Sequence, residues 1–421
     1  MATLTGNSIA STYKDLLQVS NSNSGVDTTA RAVEDGEGTA SLLYLSTTDV
    51  YSPGTGGTSN TAFGKRAGDA LTSGGDQNSF FGEDSGTAST TGHNNTAIGF
   101  ESLKANTTGY KNIAIGGYAL TTNTTGGNNT AVGYEALKGD TTGSSNTAVG
   151  MRALTSNTTA TYNTSTGYDS MRYITTGSYN TAMGGDSLGK LTTGASNTAL
   201  GVSAMYWTTT ASDNTAVGRN SMNKTTTGGN NTAIGITSLF TNTTGAYNTA
   251  SGALALYSNT TGSNNTADGG YALSSNTTGA KNTAVGYTAL NSSTTVGEQT
   301  AIGFEALKTS TTGTLNVAVG TDALQANTTG SSNTSIGYWS MGDSSTGDYN
   351  TALGDRALRR NTTADSNTGI GYYALYENTT GDSNTAIGFE AMNKNTTGVR
   401  NVASGKEALE LNTTGSYNTA S

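Results

Sequence analysis

From Asn78 onward the apolar side chains fall at fixed places in a 17-residue pattern, N-T-A-[IVL]-G-x-x-A-L-x-x-N-T-T-G-x-x. Counting the first Asn as column 1, that residue recurs every 17 positions to Asn418, replaced only by Gln299, without a single insertion. A looser repeat begins at Asn60 and is one residue longer. Columns 2 to 4 alternate Thr, a small residue and a β-branched or aliphatic residue, as in Thr96-Ala97-Ile98, which predicts a short strand. Column 5 is always Gly, from Gly82 to Gly405, and marks a bend, a positive φ or a close backbone approach. Column 8 is Ala or Ser throughout, and column 9 is Leu or Met except at Gly86. A second strand or turn at column 9 would bring that apolar side chain inward. Column 14 is always Thr, and column 15 is Gly except at Ala160, Ala211, Val296 and Ala364, which reads as a second corner.

Two packed helices per repeat would need at least about 30 residues, and a unit rich in Thr, Asn and Gly makes poor helix. The pattern therefore predicts an all-β fold, a parallel β-solenoid (β-roll) of about twenty coils with one coil per repeat. Constant repeat length implies that each coil is registered against its neighbours all round. At roughly 4.8 Å per coil, twenty coils would form a rod of about 100 Å. Only columns 4 and 9 are strongly apolar, and column 4 lapses to Thr166, Ser251, Asp268 and Ser404. That core looks thin for one chain, so a parallel homotrimer is expected, with the small residues of columns 3 and 8 near a shared axis.

Residues 1–57 lack the period and are expected to form a capping or attachment region, with residues 58–421 as the repeat shaft. The apolar runs Tyr13 to Val19 and Leu42 to Leu45, with turn signals at Gly25-Val26-Asp27 and Asp35 to Gly38, predict two or three strands. Residues 52–59 resemble a junction, and the chain stops at Ser421, four residues into a repeat.

Composition narrows the function classes. The 421 residues include 58 Gly but one Pro, no Cys and one His, so thiolate chemistry and a disulfide framework are excluded. A net charge of −9 without a basic stripe argues against a nucleic-acid partner. No stretch approaches a membrane span, and no secretory leader is visible, so the N-x-[ST] strings are repeat chemistry rather than glycan acceptors. No catalytic constellation, cofactor-binding motif or metal-ligand spacing is found, and His93 reads as a solvated loop residue. No enzyme activity is expected.

The variable columns 6, 7, 10, 11, 16 and 17 should face solvent and carry any specificity. Aromatics gather there: Tyr134, Tyr168, Tyr173, Tyr206, Trp207, Tyr271, Trp339, Tyr372 and Tyr373. Tyr206, Trp207 and Trp339 are the candidate contact residues, since exposed aromatics stack on sugars or anchor partners; the competing role is to cover Gly-rich backbone or neighbouring coils. The column-1 Asn would either form an amide ladder between coils or bond local backbone at the corner.

The N-T-A-[IV]-G-x-x-A core is similar to repeats in the head domains of trimeric autotransporter adhesins, which stack as left-handed parallel β-rolls in trimers. The N-terminal stretch YKDLLQV, followed by GVD, DGEGTAS and LYLST, resembles the start of bacteriophage tail-fibre proteins, especially marine ones. Such fibres often carry similar repeats and end in a self-cleaving chaperone domain absent from the finished particle, which would account for an end in mid-repeat. The resemblance implies a trimeric virion fibre whose N-terminal region binds other virion proteins and whose outer surface meets a host cell-surface receptor such as a glycan. The alternatives are a bacterial surface adhesin and an ice-binding solenoid, the latter through the unbroken Thr of column 14.

Overall fold

In the computed structural model, residue 57 and residues 59–421 are described in full, with the backbone of four further strands nearer the N-terminus. Columns 2 to 4 form a three-residue strand in each complete coil. The chain divides into two compact units, residues 1–195 and 196–421. Each unit is a parallel β-solenoid of coils of about 17 residues, and no helix occurs among the described residues.

In the first unit, strands β1 (Gln18–Val19), β2 (Arg31–Glu34), β3 (Ala40–Leu45) and β4 (Val50–Tyr51) pair antiparallel in succession. That is four strands where the apolar runs and turns predicted two or three. Val50 then pairs parallel with Thr61, which joins this region to the first coil. The predicted turns at 25–27 and 35–38, residues 13–17 and most of the 52–59 junction lie outside the described residues. Eight coil strands follow, from β5 (Thr61–Phe63) to β12 (Thr181–Met183), and the second unit holds fourteen, from β13 (Thr198–Leu200) to β26 (Thr419–Ala420). Partners are offset by one repeat, as in Thr130↔Thr147 and Thr232↔Thr249, so every column lies over itself.

Bonding runs round the whole coil. In the coil beginning at Asn129, the Gly133 N–H donates to Ile115 O of the coil before at 2.8 Å. Leu137 N–H donates to Ala153 O of the coil after at 3.0 Å, and Thr141 N–H to Thr158 O at 2.9 Å. The Thr141 hydroxyl adds a bond to the same carbonyl at 2.9 Å. From Asn78 onward an insertion would disturb such bonds with the coils on both sides, which is the physical reason the period holds at 17 there, while the first coil, from Asn60, takes one extra residue and still pairs with the next strand.

The interior differs from the expected one. Column 3, the middle strand residue, points inward: Ala97, Ala131 and Ala233 are fully buried. Columns 8 and 9 join it, as in Ala136 and Leu137. Column 4 points outward, with Ile98 at 41% exposure and Ile234 at 47%. The small residues therefore cannot line an axis shared with other chains, because each coil already encloses them. The chain fills its own core with Ala, Ala or Ser, Leu and two Asn columns, so the thin-core argument for a trimer fails. Column 9 reaches the interior from a turn rather than a second strand.

Both Asn readings hold together in column 1. The Asn112 Oδ1 accepts the Asn129 N–H of the next coil at 3.0 Å, while Asn112 Nδ2 donates to the Gly126 carbonyl of its own coil's end at 2.9 Å. A second buried Asn ladder runs at column 12. There Asn123 Nδ2 donates to Asn106 Oδ1 at 3.1 Å, and Asn259 Nδ2 to Asn242 Oδ1 at 2.9 Å. Where the core departs from the pattern, two departures compensate. Phe80 replaces the column-3 Ala and is fully buried, while Gly86 leaves out the column-9 Leu of the same coil. A Cβ on Gly86 would lie 2.6 Å from the Phe80 ring, so the ring occupies the space of the absent Leu.

Candidate interaction surface

Because the strand alternates, columns 2 and 4 both face outward, and column 6 follows after the Gly bend. Along each unit this makes a ribbon of Thr, aliphatic and partly aromatic side chains. In the second unit Ile302, Ile336, Leu353 and Ile387 in column 4 are exposed beside Phe304, Tyr338, Tyr372 and Phe389 in column 6. Tyr287 stacks on Phe304 at 5.8 Å, and Tyr372 on Phe389 at 5.3 Å. The ribbon is apolar over these stretches without being hidden, a state usual for surfaces that meet a partner, and is interrupted by Asp268 in column 4 and by Arg219, Asp355 and Lys406 in column 6.

The outer corner carries the predicted aromatics. Tyr206 and Trp207 meet edge to face at 5.1 Å, and Trp207 is half exposed. Trp339 stands eight coils further on and is not part of that pair. It belongs instead to a cluster built by the period. Trp339, Arg356 and Tyr373 share column 7, while Arg359 and Tyr376 share column 10. The Arg356 guanidinium lies between the Tyr338 and Tyr373 rings, 5.2 and 5.4 Å from their centroids, and donates to the Tyr373 hydroxyl at 3.0 Å. Arg359 lies 4.6 Å over Trp339. Arg360 donates to Glu377 Oε2 at 2.6 Å, and this bond holds its guanidinium above the ordinary value. Partial desolvation by the packed rings around it, and then the neighbouring Tyr373, raise the Tyr372 phenol above its ordinary value. The arginines were missed in the sequence, although their 17-residue offset from aromatics in the same column is a usable signal.

Several aromatics also cover glycine backbone, the competing role foreseen for them. A Cβ on Gly342 would lie 2.6 Å from the Trp339 ring, one on Gly127 would lie 3.0 Å from Tyr110, and one on Gly270 would lie 3.4 Å from Tyr287. Tyr110 in turn stacks on His93 at 5.5 Å, which gives that lone His a local packing role. Tyr168 and Tyr173 take cations over their faces, from Arg152 at 5.0 Å and Lys190 at 4.2 Å. Coil-to-coil bracing and surface display thus use the same side chains.

A third, partial ladder occupies column 16. Thr161 N–H donates to Ser178 Oγ at 3.0 Å, and the Asp348 and Asp365 N–H groups donate to Asp365 and Asp382 Oδ1 at 2.7 and 2.8 Å. These stacked carboxylates act as backbone acceptors. Among the described residues no group of three His, Cys, Asp or Glu side chains is placed to hold a metal ion. Column 13, next to the Thr of column 14, has its hydroxyls bonded between coils, as at Thr243 to Thr260 O, 3.0 Å. Paired free hydroxyls are therefore not available at that corner.

The fold defines the class, a parallel β-solenoid repeat protein. Compared with known proteins, the chain matches no family model and no curated relative.

Proposed function

We propose that this chain is a structural fibre of a bacteriophage particle, a homotrimer that presents host-recognition surfaces. The observation that carries the reading is the closed bonding of each coil. Hydrogen bonds on every side of the coil, two buried Asn ladders and a filled interior make stiff, uniform stacks whose polar groups serve assembly rather than chemistry. The resemblance of the repeats and of the N-terminal stretch to fibre proteins supplies the virion context. On this reading the N-terminal region binds other virion proteins. The outer corner, with Tyr206, Trp207 and the Trp339 cluster, contacts a host receptor such as a glycan. The trimer contact falls on the outward ribbon of columns 4 and 6, since the small-residue columns are enclosed. Trimer symmetry would then multiply weak receptor contacts.

The test has two arms. Mass spectrometry of purified particles should find the chain among virion proteins, and native mass should give three copies per assembly. Absence from particles removes the virion role, and a monodisperse monomer removes the trimer.

One observation favours a second reading as an ice-binding solenoid, though not through column 14. The strand face presents an outward Thr in column 2 beside a β-branched residue in column 4, as in Thr283 and Val285, repeated in register. Thermal hysteresis at micromolar protein would support it, and its absence would leave the fibre reading alone.

A further inference from the structure

The column-12 ladder has a simple rule. Each Asn donates its Nδ2 to the Oδ1 of the Asn one coil before. The rule holds from Asn123 to Asn106, from Asn276 to Asn259, and from Asn395 to Asn378. Where the following coil lacks Asn, the preceding Oδ1 has no partner. That is the case at Asn157 before Ile174, Asn276 before Ser293 and Asn327 before Ser344. The same break occurs at Asn123, whose successor is Asp140. Here the successor has the shape of Asn, and a second acceptor is stranded with the first: Asp140 Oδ2 also lacks a partner. Asp140 is fully buried.

An ionised Asp140 would place an unpaired charge inside the first unit, beside an amide oxygen that needs a donor. Both faults vanish if the carboxyl carries a proton, because an O–H at Oδ2 supplies the donor that Nδ2 supplies elsewhere. The other oxygen already behaves as a ladder acceptor, taking the Asn157 Nδ2 bond at 2.6 Å. We infer that Asp140 is held as a neutral carboxylic acid that donates to Asn123 Oδ1, making this one rung of the ladder a proton-dependent joint between coils.

The surroundings agree. Asn123, Asn157 and the Gly143 backbone are the polar groups against it, and none is charged. The charged residues on its own coil, Glu135 and Lys138, pair with each other at 2.7 Å, towards solvent. Burial pushes the carboxyl up to about 7, against the Asn157 and Gly143 hydrogen bonds that pull it down. The folded carboxyl keeps its proton while the unfolded one, with a value of 3.8, releases it. The added stability is therefore complete below about 4 and is lost as pH rises through about 7.

The test is hydrogen exchange on the full chain, between pH 4.5 and 8, comparing the parent with Asp140→Asn. Asn restores the ladder donor without a proton, so this variant should fold. Amides of the coils from 112 to 162 should lose protection in the parent relative to the variant, by about tenfold per pH unit up to about 7. Infrared spectra at pH 6 should also show a carboxylic-acid carbonyl band in the parent that the variant lacks. Parallel pH profiles for the two proteins, or no difference band, would overturn the inference; either would mean that water or a cation satisfies an ionised Asp140.

Discussion

At the residue scale, the two glycine columns do different work. Gly252, in column 5, has φ of +126°, and a Cβ there would meet the Gly269 backbone at 2.6 Å. Gly262, in column 15, has no positive φ, although a Cβ would approach the Gly279 carbonyl at 2.3 Å. Four coils carry Ala or Val at column 15, so the backbone there can shift, whereas column 5 admits no exception. Gly252→Ala should therefore cost about 3 kcal/mol or more and Gly262→Ala about 1 kcal/mol, read from denaturant midpoints. The column-5 requirement was legible because only Gly suits such a conformation. Other left-handed positions were not. Leu137 at φ 51°, Glu135 at 58° and Ser145 at 59° sit in columns 9, 7 and 17, where residue type gives no hint. Coil closure imposes those angles, at a cost of about 1 kcal/mol each.

At the scale of the strand and the ladder, Asn248 shows what one rung contributes. Its Oδ1 accepts the Asn265 N–H at 3.0 Å, and its Nδ2 donates to the Gly262 carbonyl at 2.8 Å. Asn248→Ala strands the buried Asn265 N–H and leaves the Gly262 carbonyl with the Asn259 Nδ2 bond alone, at 3.0 Å, and should destabilise by about 2 kcal/mol. Hydrogen exchange should show the loss concentrated in coils 231–281; an effect below about 0.5 kcal/mol would mean that water replaces the side chain. The column-1 ladder was foreseen, since an Asn repeated at a constant offset has few other uses. The column-12 ladder was overlooked because the N-T-T-G string also reads as an ordinary turn. The strand itself was correctly placed, but its phase was inverted. A three-residue alternation says which residues share a face and not which face is inside. Hydrophobicity pointed to Ile and Val, whereas a 17-residue coil leaves room at that position for Ala. Phe80 fits only because Gly86 vacates a neighbouring place.

At the scale of the whole molecule, the outward ribbon is where the trimer proposal stands or falls. Ile302→Lys with Ile336→Lys puts two charges on column 4 without touching a buried side chain. Native mass should fall from three copies to one while the coils stay folded by circular dichroism. A persistent trimer would place the contact elsewhere. The left-handed angles at Leu137 and its counterparts have one more consequence. A lone coil carries that strain yet has no neighbour to bond, so it has no stable existence by itself. Growth must start from a coil already in place, with each finished edge serving as the template for the next. Folding in such a chain is then a zippering with a costly first step, in which the first pair of coils to close, anywhere along the stack, sets when the rest can follow.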